Sequence, residues 1–345
     1  MQRMTLGRVG AFALIACVAL GILYDACRND SGGRQVSQPT APPAPAVTPV
    51  DPPEFNADSA FYFVKKQVAF GPRAPNTKAH QQAASWIAEE FRRMGLTVIE
   101  QRFQARHFKG EVFNGVNIIA QYKPEAPRRI LFGAHWDSRY IADQDVKDQN
   151  KPIPGADDGA SGVAVMLELA RLLQSRPLDM GVDFICFDLE DQGNDSNDGQ
   201  DNSETWCLGA QHWAKNPHRP GYSPQYAILL DMVGAANPRF AKEGISMQVA
   251  PSVVNKVWGV AASLGYGHAF VNEEASGITD DHLFVIKYAR IPMINIINRP
   301  GETKSGFVPH WHTHNDNLDA IDPNTLRMVG EVCTHVIYRA HNGTL

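Results

Sequence analysis

Three short runs are apolar at every position: Ile130-Leu131-Phe132, Phe184-Ile185-Cys186 and Ala227-Ile228-Leu229-Leu230. A strand without a polar face must be covered on both sides, which selects an α/β fold with helices above and below a largely parallel sheet. Each run closes on ionisable residues, in Ala134-His135-Trp136-Asp137-Ser138, in Phe187-Asp188-Leu189-Glu190-Asp191 and in Leu230-Asp231-Met232-Val233-Gly234. Ligands in such sheets collect beyond the carboxyl ends of the strands, so these closures are candidates for one site.

Between the first two runs lies Gly155-Ala156-Asp157-Asp158-Gly159-Ala160-Ser161-Gly162, two adjacent carboxylates among residues too small to fill a core. Val163, Leu167 and Ala170 follow at the spacing of a buried helix face. The glycines permit tight turns and close approach, and the helix that follows aims the loop at its positive N-terminal end.

In chain order the pattern predicts helices over 60–69 and 79–94, the second stopped by Gly95, and strands over 96–103, 112–122 and 129–133. A helix over 160–173, a strand over 182–188, a helix over 208–215 and a strand over 226–231 continue it. Residues 246–249 read as a strand, 252–264 as a helix and 291–297 as a strand. The last helix opens with Asp322 as N-cap and Pro323 in its first turn, and buries Leu326, Val329, Cys333 and Val336. The expectation is a single α/β domain over 54–345, with a mostly parallel, mixed central sheet sandwiched by helices.

The first 27 residues read as a signal peptide or an N-terminal membrane or lipid anchor, with Arg3 and Arg8 ahead of an apolar run over 9–24. Leu14-Ile15-Ala16-Cys17 resembles a lipoprotein box, and the run is short for a bilayer span, so the type of anchor stays open. Residues 28–53, rich in Pro, Ser and Ala, read as a flexible linker. Export to a bacterial periplasm, with the membrane touched only through the N-terminus, is the expectation. A net charge of -5 without a basic tract argues against nucleic acid. Cys186, Cys207 and Cys333 leave room for one disulfide at most in the folded part.

Two loops stand apart. Residues 193–204 carry Asp195, Asp198, Asp201 and Glu204 without the spacing of a calcium loop and read as a solvated insertion. Residues 298–310 form a long Gly/Pro-punctuated loop ending at His310-Trp311-His312-Thr313-His314, and loops of that length are often functional.

His135, Asp158, Glu190, Asp191, Asp231, Asp280 and His312 supply imidazole nitrogens and carboxylate oxygens in the mixture that zinc takes. A catalytic zinc uses three protein ligands and leaves one position open, so the set suffices for two ions. Glu190 and Asp191 are neighbours at a strand end and point in different directions. One can bind metal while the other moves protons.

The residues from Ala134 to Ser138, Gly155 to Asp158, Glu190-Asp191, Leu230 to Gly234 and His312-Thr313 together resemble the co-catalytic zinc aminopeptidases. Within that clan the chain more closely resembles the animal-type glutaminyl-peptide cyclotransferases, which bind one zinc. Asp280 before Asp281-His282, Trp311 before His312, and Phe307 fit the cyclase pattern. The resemblance implies Asp158, Asp191 and His312 as zinc ligands and Glu190 as proton shuttle in a hydrogen-bond network with Asp280 and Asp231. It also implies a substrate pocket lined by Ile278, Asn295, Ile297, Phe307 and Trp311, with Trp206 the nearest candidate for a further pocket tryptophan. The implied substrates are peptides and proteins with N-terminal glutamine, cyclised to pyroglutamate with release of ammonia. Three departures stand out: Asp191 where the cyclases usually have Glu, Asn295 in place of a pocket His, and Ala134 and Val163 where the animal enzymes carry cysteines. The rival reading is a dizinc aminopeptidase, with His135 and Asp231 holding the second ion. A non-catalytic, zinc-stabilised binding protein would have no use for Glu190.

Overall fold

Residue parity along the strands decides which of two cores a side chain enters. Phe184 and Cys186, Ile228 and Leu230, and Ile294 and Ile296 pack into the larger core, whereas Ile185 and Phe187, Leu229 and Met293 pack into the smaller one. That period of two is the pleat of a sheet buried on both faces. In the computed structural model, which describes residues 48–345 apart from 197, 198, 302 and 304, the predicted leader over 1–27 and most of the 28–53 linker lie outside the described residues.

The elements follow in order: α1 (Ala57–Ala69), α2 (Lys78–Arg93), β1 (Thr97–Arg106), β2 (Val112–Tyr122), β3 (Arg129–His135), α3 (Ala160–Ser175), β4 (Gly181–Phe187), α4 (Leu208–Lys215) and β5 (Ala227–Asp231). Then come β6 (Phe240–Lys242), α5 (Gly244–Val249), α6 (Pro251–Ser263), β7 (Phe270–Glu274), α7 (Asp281–Phe284), β8 (Met293–Ile297) and α8 (Pro323–Asn342). The main sheet has the order β1-β2-β4-β3-β5-β8. Its β3, β4, β5 and β8 run parallel, while β2 pairs antiparallel with β4 and β1 with β2. The parallel members are buried at every position. Helices α1, α2, α3, α6 and α8 cover one face; α4 and α7 cover the other. Helix α3, apolar over most of its length, lies within the larger core.

One expected strand is a helix. Ile245, Met247 and Val249 alternate like a strand, but the Glu243 carboxylate accepts the Ile245 and Ser246 N–H groups at 2.9 and 2.7 Å and caps α5. The strand of that region is β6, which pairs in parallel with β7 as a separate two-stranded sheet. Glu243 also accepts the Ile278 N–H at 3.1 Å and lies 3.1 Å from His282 Nε2, so one buried carboxylate ties α5, the 278 loop and α7 together. The three cysteines Cys186, Cys207 and Cys333 are buried and unbridged.

Burial opposes the charge on Glu243, but His282 and the bonds from Ser246 and Ile245 outweigh it and hold the carboxyl at about 2. A depressed carboxyl stabilises the fold above its ordinary pKa and loses that contribution as pH falls toward its folded value. Glu243→Gln is therefore expected to lower stability near neutral pH by about 1–3 kcal/mol. In chemical denaturation, the gap to the native protein should narrow as pH drops from about 4.5 toward 2. A gap independent of pH over that window would contradict this account.

Candidate active site

The parallel strands deliver ionisable side chains to one end of the sheet. His135 ends β3 and Asp231 ends β5. After β4 the chain turns through Leu189, whose φ of 55° lies in the left-handed region, and Glu190 and Asp191 face different neighbours. Asp137 fixes that turn by accepting the N–H groups of Glu190 and Asp191, both at 3.2 Å, and the Gln192 amide at 2.8 Å. Asp316 does the same for the Gly-rich loop, accepting the Asp157 N–H at 2.7 Å and the Asp158 N–H at 3.2 Å. Gly159 is demanded by close approach, since a Cβ there would lie 2.6 Å from the His135 carbonyl oxygen.

Two triads result, and Asp158 belongs to both. Ligand atoms of Asp158, Asp191 and His312 all lie within 4.8 Å of one another, as do those of His135, Asp158 and Asp231. His312 Nε2 is 2.8 Å from Asp191 Oδ1 and 3.9 Å from Asp158 Oδ2; His135 Nε2 is 2.9 Å from Asp158 Oδ1 and 3.3 Å from Asp231 Oδ1. Both nitrogens of each histidine, with Asp191 Oδ2 and Asp231 Oδ1, are buried without a hydrogen-bond partner. Buried polar atoms are normally paired, so orphaned nitrogens and oxygens converging in this way fit a cation that would satisfy them together. The far nitrogens face carboxylates, His312 Nδ1 at 3.2 Å from Asp143 and His135 Nδ1 at 3.5 Å from Asp137. Carboxylates behind ligating histidines fix their orientation and tautomer.

Burial, resisted by His135 and reinforced by Asp191, Asp281 and Asp280, pushes the Glu190 carboxyl well above its ordinary range. Burial and the Asp280 charge push Asp231 up to about 8. Burial alone would lower His312, but Asp191 and Asp143 outweigh it and raise the imidazole to about 9. So many carboxylates beside two protonated imidazoles form a set whose protons a divalent cation would replace.

A cleft of about 240 Å³ opens over these groups, with Asp158, Glu190, Asp191 and Asp280 among its lining residues. Trp206, Ile278, Ile297, Phe307 and Trp311 supply its apolar walls. Trp311 stacks on His312 at 3.7 Å between ring centroids and packs tilted against Phe307 at 4.7 Å, and Trp206 lies parallel to His312 at 6.0 Å. Asn295 does not line the cleft: it is fully buried on β8, and its amide donates to Asp280 Oδ2 at 2.6 Å. Asp280 therefore lies against Glu190 while its hydrogen bonds run to Asn295 and to the Asp281 N–H. Three cleft residues, Asp195, Met232 and Thr279, were not among the site residues expected from the sequence. Asp195 of the acidic 193–204 stretch reaches the mouth, and Met232 lines the wall after β5.

The model of peptidase family M28 matches residues 117–337. The chain belongs to peptidase family M28. It is 46% identical to a Bacteroides thetaiotaomicron glutaminyl cyclase solved with N-acetylhistamine, over 84% of this chain and 99% of that one, with a TM-score of 0.81. A Tannerella forsythia glutaminyl cyclase is 48% identical over 83% of this chain and 99% of that one, also with a TM-score of 0.81. A zinc-dependent exopeptidase of Parabacteroides distasonis is similar at 45% identity over 84% of this chain and 99% of that one, at the same TM-score. Among curated relatives, the Bothrops jararaca glutaminyl-peptide cyclotransferase is 28% identical, the match spanning 63% of each protein. The chain thus spans less than two thirds of that relative's length. The relatives of this M28 chain are named as enzymes, cyclases as well as peptidases.

Glu190 and Asp191 are separable by mutation. If Glu190 is a proton shuttle and not a zinc ligand, Glu190→Gln should retain zinc and fold while losing about a hundred- to ten-thousand-fold in turnover, the usual contribution of a general acid/base. Asp191→Ala should lose zinc by elemental analysis. Equal zinc loss in the two variants would exchange their roles.

Proposed function

We propose that this chain is a zinc-dependent glutaminyl-peptide cyclotransferase, converting the N-terminal glutamine of peptides and proteins to pyroglutamate with release of ammonia. The observation that carries the reading is the cleft itself. Aromatic and aliphatic walls from Trp206, Ile278, Phe307 and Trp311 enclose about 240 Å³ against Glu190. That is below the range of drug-sized ligand pockets and suits one short side chain with its own amine. The similarity to bacterial proteins named glutaminyl cyclases supports the same reading.

Asp158, Asp191 and His312 would hold one zinc ion, which when bound supplies Lewis-acid polarisation of the substrate's γ-carbonyl. The walls hold the glutamine side chain folded toward its own α-amine and exclude water. The amine nitrogen forms a bond to the γ-carbon, the bond from that carbon to the amide nitrogen breaks, and ammonia leaves. Glu190 takes the proton from the attacking amine and returns it to the departing nitrogen. Asp280, fixed by Asn295, stands beside Glu190 throughout.

A second reading has its own observation. His135, Asp158 and Asp231 form the other triad, which a dizinc aminopeptidase would use. We also infer an extracytoplasmic location from the apolar run over 9–24.

The two reactions leave different products. Cyclisation removes one ammonia from a Gln-initiated peptide and preserves chain length, whereas an aminopeptidase shortens a Leu-initiated peptide stepwise. Mass spectrometry is expected to find ammonia loss from the first substrate and no shortening of the second at a comparable rate. Shortening without ammonia release would leave the peptidase reading standing. Elemental analysis of the dialysed protein should return one tightly held zinc per chain, and two would speak for the second triad.

A further inference from the structure

Glu190 is gripped from behind. Its Oε1 accepts a hydrogen bond from Cys207 Sγ at 3.2 Å, and its backbone carbonyl accepts the Cys207 N–H at 2.9 Å. Cys207 is fully buried at the start of α4, with φ 56° and ψ 37°. A non-glycine residue holds that left-handed conformation only where its surroundings over-determine it. Here they do. The Leu208 N–H donates to the Leu189 carbonyl at 2.9 Å, and the Cys207 carbonyl accepts the Gln211 N–H at 2.9 Å. Two left-handed residues, Leu189 and Cys207, thus clasp the strand end to the helix start around Glu190.

A buried cysteine is ordinarily a small apolar filler, and Cys207 does border the smaller core with Phe187, Ala210 and Trp213. A filler has no reason to direct its sulfur at a carboxylate. We infer that Cys207 is a positioning residue for Glu190: its S–H pins Oε1 and leaves Oε2, 3.9 Å from His135 Nδ1, to carry the proton from the nucleophile to the leaving nitrogen. Burial first, then the charges of Glu190, Asp281 and Asp280, pushes the thiol well above its ordinary value. It is therefore a neutral donor at physiological pH and not a thiolate that would repel Glu190. The inference rests on Glu190 as the proton carrier and holds whether the reaction is cyclisation or hydrolysis.

The test compares Cys207→Ala and Cys207→Ser in the full chain, alone and in a Glu190→Gln background. Kinetics are read on whichever reaction the wild type performs, with zinc content and thermal midpoint measured in parallel. Cys207→Ala should lower kcat by roughly tenfold, as for a lost hydrogen bond to a charged group, with KM changed less than about twofold. Cys207→Ser, which restores a donor, should recover most of that loss. In the Glu190→Gln background, Cys207→Ala should cost no more than about twofold, because the bond it removes serves only the carboxylate. If Cys207→Ala does not fold, Cys207→Gly, compatible with the left-handed backbone, takes its place. A serine variant as slow as the alanine one would overturn the inference. So would an effect confined to KM, or an undiminished cost in the Glu190→Gln background. A wild type that hydrolyses Leu-initiated peptides would sink the cyclase reading while leaving these ratios readable.

Discussion

Carboxylates buried at the ends of parallel strands are the constraint that the rest of this protein answers. Asp158, Asp191, Asp231, Asp280 and Asp281 are all buried, with Glu190 beside them. Taking one such charge out of water costs several kcal/mol even after relaxation. A fold that places so many together must compensate them locally. Backbone N–H groups answer for Asp137 and Asp316, and the Asn295 amide for Asp280. What remains uncompensated are the nitrogens and oxygens that converge in the two triads. Those atoms mark where positive charge belongs.

The scaffold around them is correspondingly stiff. Arg73, buried before α2, donates from Nε to the Trp136 carbonyl at 2.8 Å and from Nη1 to the Pro154 carbonyl at 2.7 Å, with Nη2 on the Gly155 carbonyl. One guanidinium therefore fixes the end of β3 against the loop that carries Asp158. Burial lowers it to about 10, which leaves it charged at any physiological pH. Arg139 plays the matching part on the other side, donating to the Asp191 carbonyl at 3.0 Å and pairing with Asp143, which in turn faces His312. Neither arginine lines the cleft, yet both set the distance between the loops that do.

The sheet was legible because a strand buried on both faces has no polar face, and β3, β4 and β5 show that in their apolar runs. The helix α5 was not, because Ile245, Met247 and Val249 carry a strand's alternation and the deciding interaction is a side-chain cap from Glu243. At the site, His135, Glu190, Asp191 and Asp231 announced themselves by closing those runs, and Asp158 and His312 by the loops that carry them. Their supports did not. Cys207 shows in sequence only as one of three cysteines with room for a disulfide, and Asn295 reads as a cleft residue when it is a buried donor to Asp280. Asp195 reads as part of a solvated loop until folding brings it to the cleft mouth. Hydrogen bonds between residues far apart in sequence leave no periodic trace.

The shared position of Asp158 makes one ligand set common to the two readings of the site. An aspartate within reach of both His135 and His312 can serve one cation or stand between two, so ligand identity does not select the reaction. Selection falls to what surrounds Glu190. A peptidase must admit water and the residues on both sides of the scissile bond, whereas a cyclase must hold a single side chain bent onto its own amine. On the proposed cyclase reading, Trp311 stacked on His312, Phe307 tilted against Trp311 and Trp206 parallel to His312 supply the apolar walls that the second requirement needs. On that reading, an intramolecular attack in such a cleft gains the large advantage of a pre-oriented nucleophile, which hydrolysis by water lacks.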